Sequence, residues 1–128
     1  VNAETVGALD EIRATFPDSV VETVVNADGS VWVTVSDLLI GEQWVPARSY
    51  VGFTIGFQYP YADCYPHYVD AALEKKDETP FGPGLHLSQR TPLGDEAVMV
   101  SRQNRHITEV PDTAATKLLK VLDWLRSQ

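Results

Sequence analysis

Cys64 and His67, three residues apart, are the pair in this chain whose types and spacing come nearest to chemistry. A thiol beside an imidazole can act as a nucleophile with its base, provided the thiol ionises near neutral pH. The acidic neighbours Asp63 and Asp70 oppose that, because negative charge raises a thiol pKa. The other reading of Cys64 is a small residue packed beneath a corner of the chain. Cys-x-x-His is also half of a zinc-ligand pattern, but His86 and His106 stand singly and no second close pair exists. No metal and no cofactor is expected. Ser101, His106 and Asp112 hold the residue types of a hydrolytic triad without the Gly-x-Ser-x-Gly elbow that would expose such a serine. Arg102, Arg105 and His106 gather positive charge in an acidic chain, either as a solvated loop or as a contact for an acidic partner surface.

These residues must be positioned by a chain of 128 residues with 44% hydrophobic content, enough for one domain, 1–128, with its own core. The net charge of −8 repels a phosphate backbone, so nucleic acid is not an expected partner. No apolar run is long enough to span a bilayer. No basic region followed by an apolar stretch stands at the N-terminus. The single cysteine precludes an intramolecular disulfide and suits a reducing compartment, so the expected location is cytoplasmic and away from membranes.

The first predicted element is a helix over 5–16, with Leu9, Ile12 and Phe16 on one face and Pro17 ending it. Residues 20–25 read as a valine-rich strand. Asn26-Ala27-Asp28-Gly29 is a turn, and Val31, Val33 and Val35 alternate in the partner strand of a hairpin. A loop over 41–48 leads to a third strand, 49–57. A corner rich in tyrosine and proline, 59–66, precedes a fourth strand, 67–73. Two prolines there fix φ and remove two donors, and the four tyrosines around the corner, Tyr59, Tyr61, Tyr65 and Tyr68, supply bulk to pack beneath it. Between 74 and 94, Pro80, Gly82, Pro83, Gly84, Pro92 and Gly94 argue for a long irregular loop. Residues 97–100 are a short apolar strand or turn. A helix over 112–126 buries Leu118, Val121, Leu122 and Leu125 on one face. The sum is an α+β domain: N-terminal helix, four-stranded antiparallel meander, long loop, C-terminal helix. Trp32 lies out of phase with the valines of its strand, so it faces the sheet's other side and is a candidate partner contact. Phe81, set between prolines and glycines, is either an exposed anchor for a partner or the plug that pins the loop to the core.

The step from a strand through Tyr59-Pro60, with Pro66 following, resembles the Tyr-Pro segment of the ubiquitin-conjugating-enzyme-like superfamily, which also includes the RWD-like domains. The resemblance covers nearly the whole chain, and the Tyr-Pro corner is its sharpest match. His86-Leu87-Ser88 lies where that family places His-Pro-Asn. Gly94-Asp95-Glu96 corresponds to its glycine-containing turn, and Ile107-Thr108-Glu109 to its Trp-x-Pro step. The C-terminal stretch through Pro111-Asp112-Thr113 is most similar to the prokaryotic ubiquitin-conjugating family E. What the resemblance implies is a partner drawn from a ubiquitin-like protein, an activating enzyme or a sister subunit, in a bacterial modification pathway.

The same resemblance places the family's catalytic cysteine near Met99, within 97–100, where no residue can form a thioester. A thioether has no ionisable proton. The asparagine of His-Pro-Asn is missing as well. The chain is therefore expected to be a catalytically inactive relative that binds or scaffolds, with Trp32, Phe81, Arg102 and Arg105 as candidate contacts. The rival is a divergent conjugating enzyme carrying its cargo as a thioester on Cys64.

Overall fold

A computed structural model describes residues 1–102 and 112–128. The chain begins with helix α1 (Ala3–Thr15), capped by Asn2, whose side chain accepts from the Thr5 amide at 2.9 Å. Thr5, Ala8 and Ile12 are its buried residues, a spacing that turns one face inward. Strands β1 (Val21–Val25) and β2 (Val31–Leu39) form the expected hairpin. Its turn is held by Asp28, which accepts from the Ser30 amide at 2.9 Å and the Ser30 hydroxyl at 2.6 Å, while Gly29 takes a positive φ of 89°.

β2 pairs with β4 (Arg48–Ile55), and β4 pairs with β5 (His67–Asp70), all antiparallel. This is the predicted four-stranded meander, but the sheet does not stop there. β8 (Glu96–Val100) pairs along β5, and β7 (Leu85–Arg90) closes the far edge, giving six strands in the order β1-β2-β4-β5-β8-β7. Two short strands, β3 (Trp44–Val45) and β6 (Glu74–Lys75), form a separate ribbon. The expectation of four strands and a long loop is thus corrected. The glycines and prolines read as loop signals sit at strand ends and turns: Gly84 and Gly94 both have φ of 93° and bracket β7 and the β7–β8 turn. β7 carries a positive-φ Ser88 and a register shift between His86 and Gln89, so its sequence shows no alternation to detect.

Helix α2 (Ala114–Arg126) ends the chain, with Thr113 and Thr116 forming a reciprocal capping pair. The Thr113 hydroxyl also donates to Glu11 at 2.6 Å, joining the two helices. Val33, Val51, Phe53, Val69, Val98 and Val100 project from one face of the sheet into a single core with Ile12 of α1 and Leu118, Leu122 and Leu125 of α2. The other face has no helix on it among the described residues. No helix of the described residues is long and apolar enough to cross a membrane.

Candidate functional site

The tyrosine-proline corner is a clamp on the start of α2. The Tyr59 hydroxyl accepts from the Ala114 amide at 3.0 Å, satisfying a donor that has no partner inside the helix. Four residues on, the Asp63 carboxylate meets the Lys117 ammonium at 2.9 Å, and the lysine side chain is only 4% exposed. Burial, then neighbouring charge from Cys64 and Glu11, raises the Tyr59 hydroxyl pKa, with the Ala114 bond opposing. The four tyrosines do not act together: Tyr59 is buried, Tyr68 lies half-buried on the opposite face, and Tyr61 and Tyr65 are exposed with Phe57.

Cys64 sits inside this clamp at 4% exposure. Burial, reinforced by the Asp63 charge and only partly offset by Lys117, pushes its thiol pKa up to about 12. His67 is wholly buried on β5 against Phe53, ring centroids 5.0 Å apart. Burial and the Lys117 charge bring its pKa down to about 3. Neither ring nitrogen has a hydrogen-bond partner among the described residues, so the Cys64 thiol and the imidazole are not joined as a nucleophile and base. Both residues are core residues.

The other positions drawn from sequence scatter. Met99 lies mid-strand in β8, half-buried and opposite Tyr68 on the helix-free face. His86 is its exposed cross-strand neighbour on β7. Arg102 stacks on the Trp124 ring at 4.8 Å. Arg105, His106 and the Ile107-Thr108-Glu109 stretch lie outside the described residues, and with His106 go the histidine of the triad and the fourth member of the zinc set. Among the described residues, no three His, Cys, Asp or Glu side chains gather as a metal site. Phe81 is the plug, packed edge-on against buried Trp44 with centroids 5.6 Å apart, rather than a presented anchor. Trp44 in turn donates from Nε1 to the Leu125 carbonyl at 3.0 Å, and Gln43 caps the same helix end.

Trp32 faces the helix-free side as its phase predicts, but it is 3% exposed rather than open. Gly52 on the neighbouring strand explains this. A Cβ there would lie 2.5 Å from Trp32 Cζ2, so only glycine lets the indole lie down on the sheet. Tyr68 packs beside it, centroids 5.8 Å apart. The result is a groove of about 580 Å³ across the sheet, with Trp32, Thr34 and Tyr50 among its lining residues and Val20, Val24 and Leu93 at exposed positions around them. Sequence reading singled out Trp32 alone among these residues. Thr34 shares its strand and phase, and Val20, just before β1, shares a phase with Val24, but Tyr50 and Leu93 come from elsewhere in the chain and meet them only in the fold.

A scan of protein-family models and searches of curated proteins and of solved structures find no match to this chain. Its class rests on architecture: an α+β domain with a helix at each end and an antiparallel sheet.

Proposed function

We propose that this protein is a non-catalytic binding module of ubiquitin-conjugating-enzyme-like type, serving a ubiquitin-like modification pathway by holding a protein partner. One observation carries the reading. The only thiol in the chain is closed into the core, with its pKa pushed to about 12, so it is neither reachable nor ionised at neutral pH. The α1–meander–α2 order and the Tyr59-Pro60 step support the superfamily resemblance. Met99, near where the resemblance puts the family's cysteine, offers a thioether inside a regular strand. The exposed aromatics Phe57, Tyr61 and Tyr65 on the connection between β4 and β5 are the residue types enriched at protein interfaces.

The test is to incubate the full chain with an activating enzyme, ATP and a ubiquitin-like protein. Saturable non-covalent binding to one of the two proteins, with no adduct released by reducing agent, is the expected result. A reducible adduct lost on Cys64→Ser defeats the proposal and installs the rival, a conjugating enzyme acting through Cys64.

A further inference from the structure

The groove on the helix-free face differs in charge from an ordinary aromatic patch. Glu22 of β1, Asp70 of β5, Asp95 of the β7–β8 turn and Glu96 of β8 all line it. Among the described residues, no lysine, arginine or histidine does. None of the four acids is in an ion pair among the described residues. Arg90 stands opposite Glu96 and keeps its charge while donating to the Gly94 carbonyl at 2.8 Å, so the acids without a strand-paired cation among the described residues are Glu22, Asp70 and Asp95. Asp70 accepts one bond, from the Ala72 amide at 2.8 Å, which leaves its second oxygen free of protein donors among the described residues. The fields of two of these acids meet on the floor: burial first, then the charges of Asp70 and Asp95, raise the Tyr50 hydroxyl pKa. Glu22, Asp70 and Asp95, three carboxyl groups without an ion-pair partner among the described residues, stand around Trp32 and Tyr50 and make a site whose complement by charge is a cation.

The shape selects among cations. The lining residues come from five adjacent strands, β1, β2, β4, β5 and β8. Strand spacing makes that crossing about 19 Å. A single small ammonium ion is too short to use it, whereas about six residues of extended chain match it. Exposed Val20, Val24 and Leu93 beside the acids suit a segment in which basic and aliphatic side chains are interleaved.

We infer that this groove is a docking site for an extended, lysine- or arginine-bearing segment of a partner protein, held between the acids of β1, β5 and the β7–β8 turn over the Trp32–Tyr50 floor. The inference deepens the binding-module reading and rests on it for the partner being a protein. It assigns a face separate from the exposed aromatics of the β4–β5 connection, and it gives the chemistry of the contact there.

The experiment uses the full ¹⁵N-labelled chain, titrated with a short synthetic peptide of alternating arginine and valine, with its glutamate counterpart, and with tetramethylammonium. The expected result is saturable shifts at the Trp32 indole N–H and the amides of Glu22, Asp70 and Asp95 with the arginine peptide only. Glu22→Gln, Asp70→Asn and Asp95→Asn combined should weaken binding about tenfold. Asn at 70 keeps the acceptor for Ala72, and an unchanged melting temperature verifies folding. Removing three acids on and just beyond α1 (Glu4→Gln, Asp10→Asn, Asp18→Asn) should leave affinity within about twofold, since screened charge acts locally. Equal weakening by that control, shifts spread over every acidic surface, binding of the glutamate peptide, or tetramethylammonium binding as tightly as the arginine peptide each overturns the inference. A reducible adduct at Cys64 would instead defeat the binding-module reading while leaving the peptide result as measured, so the two failures are separable.

Discussion

The two faces of the sheet treat ionisable side chains in opposite ways. On the helix-covered side, Cys64 and His67 are shut away from water and each pKa moves to favour the neutral form, up for the thiol and down for the imidazole. On the helix-free side, Glu22, Asp70 and Asp95 stand around a groove that has no cation among its described lining residues. The residues whose names suggest catalysis are therefore packing, and residues that read as surface acids form the site. Residue type announces chemistry only once burial and partners are known.

The contrast can be broken at neighbouring positions. Phe53 and Thr54 are adjacent on β4 and point to opposite faces. Phe53→Ala should cost about 3–5 kcal/mol in urea unfolding, from lost burial plus a cavity. Thr54→Ala should cost less than about 1 kcal/mol, since its side chain is only half-buried on the open face. Comparable losses would mean that both faces are core.

The next effect is acid sensitivity from His67. Its folded pKa of about 3 lies below the ordinary 6.5, so between those values the unfolded chain holds a proton that the folded chain does not. Stability therefore falls as pH is lowered through that window, by about 1.4 kcal/mol per unit for this group alone. His67→Leu should remove that slope. It should also raise stability at neutral pH by about 1–2 kcal/mol, because two buried ring nitrogens without partners are deleted. Paired melting curves at pH 7 and pH 5 check both statements.

Gly52→Ala tests the floor of the groove. Its methyl would press on the indole, costing about 1–3 kcal/mol and displacing Trp32, which near-ultraviolet circular dichroism reads directly. Smallest is the effect of neutralising Glu22, Asp70 and Asp95 on stability. These groups have no ion-pair partners to lose among the described residues, so the change in unfolding free energy should stay within about 0.5 kcal/mol.

Much of the scaffold was legible from the sequence. The stripe Leu118, Val121, Leu122 and Leu125 is buried in α2 as its spacing required. The valines of β2 alternate against Trp32 and Thr34 as read, and the Asp28-Gly29 turn joins the strands predicted to flank it. The β7–β8 hairpin escaped because β7 is a bulged, largely exposed edge strand bounded by glycine and proline, so alternation and apolar content are both weak. Trp32's side was readable from its phase, but its depth was not. That depends on Gly52, a residue on another strand whose lack of a side chain makes the space. Cys64 could be weighed only by its neighbours, since burial beneath α2 is set by Tyr59, Asp63 and Lys117 meeting across half the chain. The groove's acids run from residue 22 to residue 96 and have no linear pattern at all.

The central claim, that the one thiol is structural, is tested most directly by its rate of alkylation with iodoacetamide at pH 7.4. The account predicts modification at least about a thousandfold slower than a free cysteine, rising to the free rate only in denaturant. Labelling of the native protein at the free-thiol rate would place Cys64 at an open, ionisable position and contradict it.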